Sequence, residues 1–133
     1  MKEKIKVLQI IHFALLAGLT IAYFILGDLF NLSMPKLEGE NMYYIFIPAI
    51  AILISNFLFK NGISKIDSNK SNEEKIIAYQ SVSIIRWAVL EFAAFIILIL
   101  KPTLIVFGLL ILLYFLMIRP TKEKIENELN IKL

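Results

Sequence analysis

Arg86 and Glu91 are the residues of this chain best placed to do chemistry, because both lie inside one long apolar stretch, Ile76 to Leu100. Ionisable groups at membrane depth are rare and call for a partner, a wet cavity or a function. A carboxylate there is a candidate proton or cation site: burial favours its protonated form and a nearby cation its ionised form, so its protonation can be tuned. A guanidinium there either pairs with neighbouring helices or reaches an anion such as a lipid headgroup. At 100° per residue the two stand roughly 140° apart around a helix, poorly placed for an i to i+4 ion pair, so each needs its own partner.

Tyr79, Gln80, Ser83, Arg86, Trp87 and Glu91 share one arc of roughly 140°, leaving an Ile, Leu and Val face for lipid and predicting that the arc faces inward or into a subunit interface. Counting along the helices from their basic ends brings His12 close to the depth of Ser83 to Arg86, and Asn56 close to Gln80 and Tyr79. The candidate polar site is therefore Glu91, Arg86, His12, Asn56, Gln80, Ser83 and Tyr79. Each also has a structural role open to it, since Glu91 and Arg86 can bind helices together and His12 can act as a hydrogen-bond partner. One His and no Cys leave nothing to share a metal with His12. No phosphate loop, nucleophile elbow, zinc signature or dinucleotide fingerprint occurs, so no catalytic residue, metal, cofactor or enzyme activity is expected.

The elements that must position these groups follow from composition. A chain of 133 residues that is 59% hydrophobic and 19% charged carries more apolar surface than one small soluble core can hide. Its apolar residues gather in blocks near the roughly 20 residues needed to cross a bilayer. The expected fold is all-α: a polytopic membrane protein, a four-transmembrane-helix bundle forming a single membrane domain over 1–133. Spans are expected at about 5–27, 43–59, 76–100 and 103–118, with a tail at 119–133. The polar connection Asp28 to Met42 contains Pro35 and Gly39, Lys60 to Lys75 is hydrophilic, and Lys101-Pro102 is a tight turn. Ile125 and Leu129, four apart, mark a short surface helix in the tail. The apolar run after Met1 to Lys6 continues to Leu26 without a small-x-small cleavage site, so it reads as a span and not as a signal peptide.

Basic residues concentrate before the first span, between the second and third, and after the fourth. By the positive-inside rule both termini and the middle loop are cytoplasmic, in a multi-pass protein of the cell (inner) membrane. The net charge of +3 sits at the edges of apolar blocks and forms no phosphate-binding stripe, so no nucleic-acid partner is expected. Ile10-Ile11-His12-Phe13-Ala14-Leu15-Leu16 can be set on Ile84-Ile85-Arg86-Trp87-Ala88-Val89-Leu90, which suits a duplicated two-helix hairpin with parallel repeats.

Ala88-Val89-Leu90-Glu91-Phe92-Ala93-Ala94-Phe95 resembles the carboxylate helix of the proteolipid c subunits of rotary ATPases. The resemblance implies that Glu91 would bind a proton or sodium ion. It is local: the glycine-rich first helix of that family is missing, the second span carries Pro48, and Arg86 is an added fixed charge. The remainder reads as a small four-span bacterial membrane protein. Two functions are expected from different classes. One is an accessory or assembly subunit, packing through its third span against a second copy (a homo-oligomer) or a larger membrane complex in the lipid bilayer. The other is a proton- or ion-coupled membrane protein using Glu91.

The topology is checked by reporter fusions. A tag after Asn41 should be reached only from outside the cell and a tag after Asn69 only from the cytoplasm; the opposite pattern inverts the protein.

Overall fold

The computed structural model describes residues 2–32, 34, 36 and 38–133. Pro35, expected in the first connection, lies outside the described residues. Of the described residues 81% are helical, and none lies in a strand. The helices are α1 (Lys2–Leu26), α2 (Asn41–Tyr44), α3 (Phe46–Ser64), α4 (Asn72–Leu100), α5 (Ile105–Met117) and α6 (Lys122–Leu129). Lys2–Leu26, Asn41–Ser64 and Asn72–Leu100 are long and apolar enough to cross a membrane. A fourth such segment exists if Pro102–Met117 and Lys122–Leu129, bent by 81°, count as one.

Local chemistry sets these boundaries. Ser71 and Glu74 form a capping box at the start of α4: the Ser71 hydroxyl accepts from the Glu74 N–H, and the Glu74 carboxylate accepts from the Ser71 N–H, both at 3.3 Å. Glu73 and Glu74 also suit the positive end of the helix dipole. Pro48 cannot donate to the Tyr44 carbonyl, which fits the break between α2 and α3. Pro102 ends α4 and opens a 3-10 turn, Pro102–Leu104. Pro120 ends α5 in the same way. The chain then turns into α6, capped by the Thr121 hydroxyl on the Lys124 N–H and closed by Asn130 in the left-handed region at φ 53°.

α4 is the centre of the molecule. α1, α3 and α5 all pack on it, and α1 and α3 each also lean on α5. Its most apolar stretch is 39% buried inside the chain, against 22% for α1 and for α2–α3. The α1 residues Ile5, Leu8, His12, Leu19 and Tyr23, spaced by three, four or seven positions along one face, are buried. They meet an α4 face of Ile76, Tyr79, Ser83, Trp87, Leu90, Ala94 and Ile97. The outer surface is apolar, with Phe13, Phe24, Leu53, Phe57, Phe92 and Ile99 all exposed. Lipid, not water, matches such a surface. Phe13, which the repeat register sets on Trp87, is exposed while Trp87 is buried.

Gly27, Gly62 and Gly108 mark close approaches. A Cβ on Gly62 would meet Val82 of α4, and one on Gly108 of α5 would collide with the Tyr23 ring and hydroxyl. Tyr23 is not free to yield, because its hydroxyl donates to the Ala94 carbonyl of α4 at 2.6 Å. A Cβ on Gly18 would have nothing within 4 Å. Gly108→Ala should therefore lower stability by about 1–3 kcal/mol, and Gly18→Ala should stay within about 0.5 kcal/mol of the parent. Thermal unfolding in mild detergent, followed by the fluorescence of Trp87, checks the pair; equal midpoints would contradict the packing.

Candidate functional site

The end of α5 organises the polar groups around it. Because Pro120 has no N–H, α5 cannot continue, and its last carbonyls lose their helical donors. Other parts of the chain replace them. The Arg119 N–H turns back to the Leu116 carbonyl at 3.3 Å. His12 of α1 donates from Nε2 to the Phe115 carbonyl at 2.8 Å, which fixes the proton on Nε2 since a carbonyl can only accept. The Gln9 amide reaches the Pro120 carbonyl at 3.1 Å, and Lys124 Nζ bridges the Met117 and Arg119 carbonyls at 2.9 and 3.0 Å. The His12 ring is seated edge-on against Trp87, with centroids 5.0 Å apart, and against Phe115 at the same separation.

Arg86 of α4 sits on the other side of α5. One of its terminal nitrogens, Nη2, donates to Asn56 Oδ1 of α3 and to the Tyr114 hydroxyl of α5, both at 3.2 Å. The Tyr114 hydroxyl in turn donates to Asn56 Oδ1 at 2.5 Å, closing a triangle that joins three helices. The guanidinium carbon lies 4.3 Å from the centre of the Phe59 ring, a cation–π contact. Neither Nε nor Nη1 donates to any described residue, and Nε is fully buried. The ion pairs among the described residues are Lys4–Glu73, Lys101–Glu40 and Lys122–Glu126, all away from Arg86.

The seven candidate residues thus divide. Arg86 and Asn56 are brought together, nearly two turns deeper than the Asn56 to Gln80 match expected from the sequence. His12 faces Trp87 and α5 but makes no hydrogen bond to Arg86 or Glu91. Tyr79 is buried and donates to Glu128 of α6 at 2.7 Å. Ser83 is buried on the same face, and Gln80 is half-buried at its margin. Glu91 is half-buried, and among the described residues it has neither a hydrogen bond nor an ion pair. Its neighbours Ala88 and Phe92 are exposed.

Two cavities meet at Arg86 and Glu128. One, of about 290 Å³, is lined by Asn56, Phe59, Lys60, Ile63, Ser64, Arg86 and Glu128. The other, of about 220 Å³, is lined by Tyr79, Arg86, Met117, Ile118, Lys124 and Glu128. A larger cavity, about 680 Å³, lies between the loops at the far end and touches none of the candidate residues. No group of His, Cys, Asp and Glu able to hold a metal occurs among the described residues. Tyr114, Gln9, Lys124 and Glu128 complete the polar network and were not singled out by sequence reasoning. Tyr114 has a signal, as the one polar side chain in its apolar run, and Gln9 has another, one helical turn before His12.

The carbonyl that each bond satisfies decides its worth. Ala94 lies inside α4 and already has a helical donor, whereas the Phe115 carbonyl depends on His12. His12→Phe should cost near the upper limit for interhelical bonds in membranes, about 1.7 kcal/mol, and Tyr23→Phe nearer the average of about 0.6 kcal/mol. Equal losses in detergent unfolding would refute the capping role of His12. Compared with protein-family models, with curated proteins and with solved structures, the chain shows no match.

Proposed function

We propose that this chain is a small accessory subunit of a membrane assembly, spanning the bilayer four times through α1, α2–α3, α4 and α5, with both ends cytoplasmic. It docks to another membrane-spanning chain along the edge of α4 that carries Glu91. The observation that supports this reading is the contrast within the α4 arc. Tyr79 and Arg86 hydrogen-bond to other parts of the same chain and Trp87 packs edge-on with His12, whereas Glu91 has no partner among the described residues and stands half-exposed between Ala88 and Phe92. A carboxylate deep in an apolar span is costly unless it meets a donor or a cation. A neighbouring transmembrane helix can supply one, and in lipid such a polar contact fixes partner and register where apolar packing alone is unselective.

The competing reading, a proton- or ion-coupled protein as in the proteolipid resemblance, needs polar groups gathered around Glu91. Arg86 and Asn56 bond to each other and Tyr114, and His12 bonds to the Phe115 carbonyl, so these groups are committed elsewhere. The accessory-subunit reading asks only for what α4 displays, an unpaired carboxylate on an exposed edge.

The chain has no cysteine, so single cysteines report cleanly. Cysteines at Ala88 and Phe92 should crosslink to a second membrane chain in native membranes, and a cysteine at Phe57, on the outer face of α3, should not. Glu91→Gln should weaken the adduct severalfold while leaving expression and unfolding unchanged. Absence of any adduct from both α4 positions, with a monomer in mild detergent, refutes the proposal. Proton or sodium flux in liposomes that is lost in Glu91→Gln would establish the competing reading instead.

A further inference from the structure

The second feature of the molecule that the docking edge does not use is the pair of cavities meeting at Arg86. Three cationic side chains line them, Arg86, Lys60 and Lys124, against one carboxylate, Glu128. Glu128 faces the cavities but accepts a hydrogen bond from Tyr79, which holds it against the α4 side. Lys124 caps two carbonyls of the α5 end and keeps its charge there. Arg86 has no carboxylate within ion-pair distance among the described residues, and its Nε and Nη1 groups have no acceptor among them. A guanidinium packed on Phe59 with both N–H groups of Nη1 uncommitted favours an anion that offers several oxygens.

The geometry points to a binding site for a phosphate group, held by Arg86 with Lys60 and Lys124, in the cleft between α3, α4 and α6. Ser64 and Asn56 add polar groups to the same wall. A volume of about 290 Å³ corresponds to about ten waters at about 30 Å³ each, enough for a phosphate and the first atoms attached to it. Phe59, Ile63 and Ile118 form the apolar part of the walls, which suits the glycerol and upper acyl chain of a phospholipid. On the proposed topology the cleft lies on the cytoplasmic side, where anionic headgroups meet juxtamembrane Lys and Arg. The phosphate chemistry does not depend on the docking of Glu91, and the residues tested are different.

The probes are short-chain phosphatidylglycerol, the matching diacylglycerol without phosphate, and inorganic phosphate, each titrated into the purified chain in neutral detergent with the unfolding midpoint as readout. Phosphatidylglycerol should raise the midpoint saturably and diacylglycerol should not. If inorganic phosphate acts at similar concentration the natural ligand is a free phosphate, and if only the lipid acts it is a headgroup; both results support the site. Arg86→Gln should weaken binding about ten- to a hundredfold, the range of a charge-assisted hydrogen bond. Since that variant removes the Asn56 and Tyr114 contacts as well, two surface changes provide a test that leaves them intact. Lys60→Gln should weaken binding about two- to fivefold and Glu128→Gln should tighten it by a similar factor. The site is refuted if diacylglycerol stabilises as well as phosphatidylglycerol, if neither phosphate probe acts, or if Lys60→Gln and Glu128→Gln both bind like the parent.

Discussion

The backbone of α5 stops where Pro120 removes a donor, and in a water-poor setting every carbonyl thus freed must find another hydrogen bond. Much of the polar chemistry at this end of the molecule answers that requirement. Gln9 and His12 bring α1 to the end of α5, and Lys124 folds α6 back beneath it. With α6 in that place, Ile125 and Leu129 are buried and Glu128 comes within reach of Tyr79. A single proline thus connects the path of the tail, the tautomer of His12 and the wall of the cleft beside Arg86.

The two ionisable residues of α4 stand in opposite situations although they are only five positions apart. Arg86 is secured by two helices and an aromatic ring, so its remaining donors are held in a fixed direction. Fixed donors bind an anion with little loss of side-chain freedom, which is the advantage of preorganisation. Glu91 has no such anchorage and sits on an edge between exposed neighbours. The proposed roles follow from that difference: an anchored cation suits a small ligand entering a cleft, and an unanchored carboxylate suits a second helix arriving from the bilayer.

The helical class and the membrane character of the chain were legible because apolar block length and hydropathy are properties of the sequence alone. The helix stops at Pro102 and Pro120 are equally local, whereas the start of α4 at Asn72, before the expected Ile76, rests on the Ser71–Glu74 capping box and not on hydropathy. Among the site residues, Arg86, Glu91, His12, Asn56 and Tyr79 stood out because polar groups in apolar runs are visible without coordinates. Their partners were not legible. Helical periodicity gives a residue its angle on its own helix, but the Asn56–Tyr114–Arg86 triangle depends on how far α3 and α5 slide along α4, and that is set by side-chain packing at positions such as Gly62 against Val82. Glu128 was harder still, because its position depends on a turn of 81° and on a lysine that reads from sequence only as a topology signal.

That lysine shows how one charge can serve several constraints. Lys124 belongs to the basic tail whose charge retains a segment in the cytoplasm on the proposed topology. The same ammonium group satisfies two carbonyls at the negative end of the α5 dipole, where a cation is favoured. It also lines one of the two cavities that meet at Arg86. Capping holds the charge at one place, so a residue that would otherwise sample the interface as a mobile tail charge adds a fixed positive potential to the cleft. The polar end of this small protein therefore acquires its charge pattern from the means by which its last apolar helix is closed.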